Sequence, residues 1–176
     1  MEYLVFVSDG MLPAGAGLNA RYWVRVWQPS ITRVIPPGLD LKYSLWWAFH
    51  HARVFRNRDY AVLLIGEGDI VVHRSCIVPA YYRWPFMKDN DCQISNTWTH
   101  PDYRGRGLAT IGLMRAVAAC QRPGRSFWYV SREANLSSVS VCTRAGFTLV
   151  GHARRTRRMG SSVLGQLIMD PIHPPV

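Results

Sequence analysis

The sequence predicts a mixed α+β domain, in which mainly antiparallel strands alternate with inserted helices. Three observations predict it. Short β-rich runs bounded by turn residues recur along the chain, and two longer segments carry apolar residues at the three- and four-residue steps of amphipathic helices. Apolar residues also make up 48% of the 176-residue chain, enough for a well-buried core. We expect one domain over residues 1–176.

The first part of the chain predicts two strands, a connector and a helix. Residues 1–7 and 21–27 are short β-rich runs, and residues 28–39, which include QPS and IPPG, predict an irregular connector. Residues 41–55, LKYSLWWAFHHARVF, have apolar side chains at helical steps. Asp40 is the expected N-cap of that helix.

The remaining elements follow at short intervals. The segment GEGD joins two β-rich runs in the pattern of a hairpin. Pro123-Gly124 ends a helical segment. In the strand CQISNTWT, the two-residue period predicts that Gln93, Ser95, Thr97 and Thr99 share one face. The predicted strands are 60–65, 70–78, 92–99, 126–132, 147–153 and 163–170, the helices are 107–122 and 134–145, and a basic turn is 154–161.

The charge balance favours an anionic ligand. There are 21 basic against 11 acidic residues, a formal net charge of +10, and all the basic residues except Lys42 and Lys88 are arginine. Arginine binds phosphate and carboxylate through a planar fork, and the positive field attracts nucleotides, acyl-CoA or nucleic acid while it repels polycations. A genomic base composition that enriches arginine explains the bias equally well.

The cysteines and the amino terminus indicate a cytoplasmic protein without a metal. Cys76, Cys92, Cys120 and Cys142 lie far apart, and no C-x-x-C pair suggests zinc or a compact disulfide framework. The opening run MEYLVFV is too short to span a membrane and lacks the features of a signal peptide.

The segment YRGRGLAT, residues 103–110, lies where a phosphate site would be expected. It connects a predicted strand directly to a predicted helix, and the first N–H groups of a helix together with its dipole favour an anion. Gly105 and Gly107 let the backbone approach a ligand closely. From spacing alone, an exposed basic turn is an equal alternative, because short glycine-rich motifs match by chance often.

Several motifs in order resemble one family. The residues Arg104 to Ala109, RGRGLA, match the [QR]-x-x-G-x-[GA] signature of the GNAT superfamily of acyl-CoA-dependent N-acyltransferases. The lead-in THPDY, the helix start Asn135 to Ser138, and Ala145-Gly146-Phe147 resemble further family elements at the family spacing. The resemblance covers about residues 91–150, and residues 1–90 carry no matching motif.

This resemblance implies a GNAT-like fold with a splayed strand pair that binds CoA. It implies acetyl-CoA or another short acyl-CoA as co-substrate, no metal, and direct attack of a neutral primary amine on the thioester. The positions that match cofactor-binding ones are Trp98, Thr99, Arg104, Gly105, Arg106, Gly107, Leu108, Ala109, Thr110, Asn135 and Ser138.

The candidates for proton transfer are His73 and Cys142. Many family members carry a tyrosine, as the acid for the leaving thiolate, four residues before the glycine of Gly-Phe; this chain has Cys142 there. A thiol could donate a proton, although a small apolar side chain packed on a helix is the more common use of cysteine. His73, inside the apolar run IVVHRSCIV, is the best imidazole candidate for a base, and its alternative is a hydrogen-bonded core histidine.

The acceptor is expected to contact the aromatic, arginine-rich first half. Aromatic faces stack on sugars and bases, and arginine pairs with phosphate. We therefore expect an anionic, amine-bearing acceptor, such as an amino-sugar nucleotide of surface-polysaccharide synthesis; a protein, a peptide or a small amine is the alternative. Helical spacing assigns more than half of the rings to the core. A homodimer is compatible with the sequence. The candidate acceptor residues are Trp46, Arg53, Tyr82, Arg83 and Trp84.

A basic nucleic-acid-binding module without catalysis is the alternative from another class. The segment ARRTRR, residues 153–158, and the high net charge support it. The basic residues are nevertheless spread along the chain, and no helix-turn-helix, zinc or RNP-type motif is present. We therefore expect no nucleic-acid partner.

Overall fold

The computed structural model describes residues 2–10, 17–157 and 165–172, in which three α-helices flank one eight-stranded sheet. This architecture confirms the predicted α+β class. The strands are β1 (Glu2–Ser8), β2 (Tyr22–Trp27), β3 (Ala61–Glu67), β4 (Ile70–Pro79), β5 (Cys92–Thr99), β6 (Phe127–Arg132), β7 (Thr148–Arg155) and β8 (Leu167–Pro171). The helices are α1 (Ser44–His51), α2 (Leu108–Cys120) and α3 (Leu136–Arg144).

The strands lie in the order β2-β3-β4-β5-β6-β1-β7-β8. The β3–β4 hairpin is formed as the GEGD pattern predicts. All neighbours are antiparallel except β5 and β6, which are parallel. The amino-terminal strand β1 pairs with both β6 and β7, so it joins the carboxyl-terminal half of the sheet.

Each face of the sheet has its own core. Alternation along β3 sends Leu63 and Ile65 to the face covered by α2 and α3, and Val62 and Leu64 to the face covered by α1. Aromatic residues fill the α1 side, where Tyr60 packs against the rings of Trp27 and Phe55. In the described part of the chain, no helix is long and apolar enough to cross a membrane.

The first helix is shorter than the predicted 41–55. A 3₁₀ turn, Leu41–Tyr43, precedes α1, which ends at His51. The helix stops because Arg53 adopts a positive φ of 56°, which α-helical geometry excludes. Asp40 makes no capping hydrogen bond; its carboxylate instead pairs with Lys42 at 2.6 Å. Of the basic turn predicted at 154–161, Arg154 and Arg155 belong instead to strand β7, and residues 158–161 lie outside the described residues.

The parallel pair β5–β6 is closed at one end only. Its register contains two residue pairs, Cys92 with Phe127 and Gln93 with Trp128, after which the strands separate. The buried carboxylate of Asp91 holds this closed end by accepting hydrogen bonds from the Ser126 N–H (3.1 Å) and the Trp128 Nε1–H (2.9 Å). Such donors compensate the cost of burying a carboxylate.

Arg125 ties the end of α2 to the same point. Its fully buried guanidinium donates to the carboxylate of Asp59, to the backbone oxygen of Asn90 (2.7 Å) and to the backbone oxygen of Cys120. The second guanidinium on Asp59 belongs to Arg122, whose side chain is 58% exposed. Asp59 therefore has one buried partner, Arg125, and one exposed partner, Arg122.

Replacement of Arg125 by Met is expected to lower the free energy of unfolding by about 3 to 5 kcal/mol, because it leaves buried acceptors and a charge without their partner. Arg122→Met, which removes the exposed partner of the same acid, should cost much less. Urea unfolding of both variants measures the difference. Equal losses would show that burial of Arg125 does not matter.

Candidate functional site

A bulge in β5 lies beside the opening between β5 and β6. In the β4–β5 register, Arg74 pairs with Trp98 and Cys76 with Ser95, so two residues of β5 lie opposite Ser75 alone. Asn96, one of the two, has a positive φ of 49°. A bulge of this kind reverses the alternation of side chains beyond it.

The prediction that Gln93, Ser95, Thr97 and Thr99 share one face is therefore wrong. Ahead of the bulge, Ile94 is the residue that packs in the core on the α2 side. Beyond the bulge, Thr97 and Thr99 turn to that side instead, where they approach Ser75 and His73.

The loop after β5 needs glycine for its backbone conformation. Gly105 and Gly107 both have φ of 75°, which L-residues adopt only at a cost. A Cβ at either position would meet no described atom within 4 Å. Packing therefore does not explain these glycines, and the surface of the loop stays accessible.

The loop arginines are held by the loop itself. The Arg104 Nε–H donates to the Thr99 backbone oxygen (3.3 Å), and the Arg106 guanidinium donates to the Asp102 backbone oxygen (2.9 Å). Arg106 also lies over the Tyr103 ring at 4.8 Å. Both guanidinium groups thereby add positive charge to a fixed loop.

The first turn of α2 leaves donors for an anion. No side chain caps the helix at Gly107, and its first turn contains no acidic residue. The N–H groups of Leu108, Ala109 and Thr110 precede the first intrahelical hydrogen bond, which Ile111 donates. These donors and the helix dipole favour negative charge at this end.

The opposite wall comes from β6 and α3. Asn135 caps α3: its Oδ1 accepts from the Ser138 N–H (3.2 Å) and the Ser137 hydroxyl (3.0 Å). Arg144, the last residue of α3, is held against the Ser140 hydroxyl (2.7 Å). This wall therefore presents hydroxyl groups, an amide and a cation.

A cleft of about 530 Å³ lies between these walls, a volume typical of small-ligand sites. No acidic residue is among its described lining residues. No group of His, Cys, Asp and Glu able to hold a metal occurs in the described ranges. The cleft is lined by Thr97, Trp98, Thr99, Tyr103, Arg104, Gly105, Gly107, Leu108, Ala109, Thr110, Tyr129, Asn135, Ser137, Ser138, Val141 and Arg144.

Ten of the residues predicted to contact the cofactor belong to this lining, and Arg106 does not. Thr97, Tyr129 and Arg144 are among the lining residues that the sequence did not indicate. The two-residue period of the strand SFWYVSR was the pattern that could have indicated Tyr129. For Arg144 it was the position on the helix that Asn135 begins. Nothing local pointed to Thr97, because the bulge brings it to this side.

Tyr129 is the buried ionisable group of the cleft. Its side chain is 5% exposed, and its hydroxyl interacts with the hydroxyls of Ser138 and Thr97 on the two walls. Burial raises the pKa of Tyr129 above its ordinary value of 10.0, so this hydroxyl keeps its proton at neutral pH.

His73 lies behind the cleft wall. It is fully buried; its Nδ1 is 2.9 Å from the Thr99 hydroxyl and its Nε2 is 3.0 Å from the Ser75 hydroxyl. A Cβ on Gly112 of α2 would overlap the imidazole, so the helix packs directly on it. Burial, and secondarily the charge of Arg74, lowers the pKa of His73 to about 3.

Cys142 also lies outside the cleft lining. Its side chain is fully buried in the core under α3, and its thiol donates to the Val139 backbone oxygen (3.2 Å). Burial raises the pKa of Cys142 to about 11.

The predicted acceptor residues do not form part of the cleft lining. Trp46 stacks on Phe55, and Trp84 packs edge-on against Tyr81, both in the aromatic core on the α1 side. Tyr82 is 37% exposed on the loop after β4. Arg53 and Arg83 lie near these rings in sequence and likewise do not line the cleft.

The model of the acetyltransferase (GNAT) family matches residues 31–147, well over half of the chain. The ordered motifs of residues 91–147 fall inside this match. No curated protein matches the sequence significantly.

Solved structures share the fold at low identity. A GCN5-related N-acetyltransferase from Sphaerobacter thermophilus aligns with a TM-score of 0.56 and 16% identity over 99% of this chain and 53% of that one. A GNAT-family acetyltransferase from Colwellia psychrerythraea aligns at 0.54 and 12% over 86% and 53%. A Drosophila protein aligns at 0.57 and 12% over 86% and 48%. The chain thus spans about half the length of these structures.

The buried neutral His73 is expected to make stability depend on pH. Its pKa of about 3 in the folded state lies below the ordinary value of 6.5, so the unfolded chain binds the extra proton between these values. The neutral His73 therefore makes its full contribution to the free energy of unfolding above about pH 6.5. This contribution is lost at about 1.4 kcal/mol per pH unit as the pH falls toward 3. Urea unfolding near pH 7 and pH 5 should differ by about 2 kcal/mol more in the wild type than in His73→Gln. Identical pH dependence in both proteins would contradict a buried, neutral His73.

Proposed function

The chain belongs to the GNAT family of acetyltransferases, and on that premise we propose that it transfers an acetyl or other short acyl group from acyl-CoA to a primary amine. One observation carries the proposal. The glycine loop, the uncapped start of α2 and the separated edges of β5 and β6 line a single cleft without an acidic side chain. Acetyl-CoA is the co-substrate that GNAT acetyltransferases use, and it carries phosphates, an amide-containing arm and a thioester.

The phosphates of the donor fit the loop end of the cleft. Gly105 and Gly107 leave the backbone accessible, and the N–H groups that begin α2 lack helical partners. Arg104 and Arg144 supply positive charge from the two walls. In this proposal, backbone donors fix the position of the phosphates and the arginines neutralise them.

The amide-containing arm fits the opening between the strands. Beyond Gln93 the edge of β5 that faces β6 has no strand partner, so Trp98 and Thr99 can pair through their backbone groups with an extended ligand. Asn135 and Ser138 face the arm from the opposite wall. The thioester itself supplies an activated acyl carbon.

Tyr129 is the group that we assign as proton donor to the leaving sulfur. Its hydroxyl lines the cleft between the two walls and stays protonated at neutral pH. Cys142 matches the family position of the acid, but its thiol is engaged by Val139 in the core. His73 contacts the Thr99 hydroxyl directly and that of Thr97 through Ser75, so we propose that it orients Thr99 and the strand edge.

The acceptor is proposed to be a small amine that carries a negative charge, with an amino-sugar nucleotide as one candidate. The formal charge of +10 supports an anion over a polycation. A protein amino group or a neutral amine is the alternative. The cleft is the feature that favours catalysis over nucleic-acid binding. Four free cysteines support a cytoplasmic location, and a homodimer stays a prediction.

Acetyl-CoA is expected to stabilise the protein by about 2.7 kcal/mol at 100 times its Kd, which raises Tm by about 5 to 10 °C. Gly107→Asp should abolish most of this shift, because the added carboxylate repels the phosphates. Gly124→Asp is the matched control, since Gly124 has a similar φ of 68°, equal open space and no part in the cleft. Differential scanning fluorimetry measures both variants. A shift with duplex DNA or tRNA that persists at moderate salt, without one for acetyl-CoA, would favour the nucleic-acid module.

Tyr129→Phe is expected to lower kcat for thiol release by about 100-fold, the usual contribution of a positioned acid. Its Kd for acetyl-CoA should change little, because only the hydroxyl is lost. Cys142→Ala tests the other candidate and should retain kcat within about threefold, since the Cys142 thiol contacts only the core. If Cys142→Ala were the slower variant, the assignment of the proton donor would be reversed.

A further inference from the structure

Arg74 lies on the sheet face opposite His73. Successive residues of a strand point to opposite faces, and His73 packs under α2. Arg74 therefore points to the α1 side, where its guanidinium approaches the rings of Trp98 (4.7 Å) and Tyr43 (5.7 Å). Trp98 also lines the cleft, so Arg74 contacts one residue of the cleft wall.

The Nε–H of Arg74 is a donor without an acceptor. Its Nε is buried and makes no hydrogen bond, and no described carboxylate lies within the 4 Å of an ion pair. Buried donors are normally satisfied in folded proteins. The nearby acid, Asp40, interacts with Arg74 only at longer range and is paired with Lys42.

Arginines that serve the fold of this chain look different. The Arg125 guanidinium donates to three residues, Arg122 binds both carboxylate oxygens of Asp59, and Arg56 reaches the Met87 backbone oxygen and Asp89. The Arg74 guanidinium instead lies over the rings of Trp98 and Tyr43, and its buried Nε–H has no acceptor. The rings orient the group and displace water from its faces, which prepares a planar fork for an oxyanion.

We propose that Arg74 binds the anionic group, a carboxylate or a phosphate, of the amine that accepts the acyl group. The acceptor would approach from the α1 face of the sheet, whereas the donor lies on the α2 side. Trp98 would contact both substrates. This inference rests on the proposed acyltransferase function and adds a substrate class to it. The inference specifies the charge that the acceptor carries beside its amine. The loop of residues 103–110 is assigned to the donor and does not determine that charge.

The test compares amines that differ mainly in charge. Glycine and glycinamide form the carboxylate pair; O-phosphoethanolamine and ethanolamine form the phosphate pair. For each pair, the ratio of kcat/KM between charged and neutral amine is measured by thiol release from acetyl-CoA in the wild type and in Arg74→Gln. Intrinsic reactivity cancels when the ratios of the two proteins are compared.

Arg74→Gln is expected to lower the ratio by about 10- to 100-fold for at least one pair, mainly through the acceptor KM, as loss of a charge-assisted hydrogen bond does. The pair that responds identifies carboxylate or phosphate. Arg74→Lys should retain a reduced preference. Arg25→Gln is the matched control, because Arg25 also lies over a tryptophan ring, Trp23 at 5.4 Å, on an exposed part of β2. A ratio unchanged in Arg74→Gln would overturn the inference, since damage to the fold alone lowers both members of a pair.

A binding measurement makes the outcome independent of turnover. Calorimetric titration of the same four amines into the protein with saturating CoA should give tighter binding of a charged amine, lost in Arg74→Gln. If CoA binds but neither charged amine binds better than its neutral partner, Arg74 has no such role. If acetyl-CoA itself causes no thermal shift, the acyltransferase proposal fails instead.

Discussion

The early end of the parallel β5–β6 pairing is the constraint on which the rest of the site depends. Two residue pairs hold the strands together, and beyond them each strand has an edge without a neighbour. Separated strands leave backbone donors and acceptors unpaired, so the closed end must be held firmly. Asp91 and Arg125, both buried, join the starts of β5 and β6 to the end of α2. The start of the same helix, at the other end of its 13 residues, lies at the open end with its first N–H groups toward the cleft.

Much of this arrangement could be predicted because its signals are local. A strand that runs through a glycine-rich loop into a helix specifies a left-handed turn and an uncapped helix start, and both are present at Gly107. Asn135 predicted the start of α3, and its side chain does cap that helix. Each of these elements is specified by residues that are close to it in the sequence. The order of the motifs along the chain then predicted the fold.

Features set by distant parts of the chain could not be predicted. The place of β1 between β6 and β7 depends on pairings more than 100 residues apart along the sequence. The bulge at Asn96 reverses the facing of Thr97 and Thr99 without a glycine or proline to mark it. Rings such as Trp46 carried the same sequence signal whether they line a pocket or fill a core, and tertiary packing decided for the core. The isolation of Arg74 was likewise visible only once its neighbours were known.

The two faces of the sheet divide the proposed reaction between them. In this proposal the donor binds on the α2 side, to the loop of residues 103–110, the start of α2 and α3. Arg74 binds the acceptor on the α1 side, and Trp98 lies between the two substrates. Hydrogen–deuterium exchange with and without acetyl-CoA measures whether the donor occupies the opening between β5 and β6. Exchange is expected to slow in peptides covering residues 96–100 and 104–111 and to stay unchanged in residues 61–67 of β3. Protection confined to other segments, with 104–111 unchanged at saturating acetyl-CoA, would contradict donor binding in this opening.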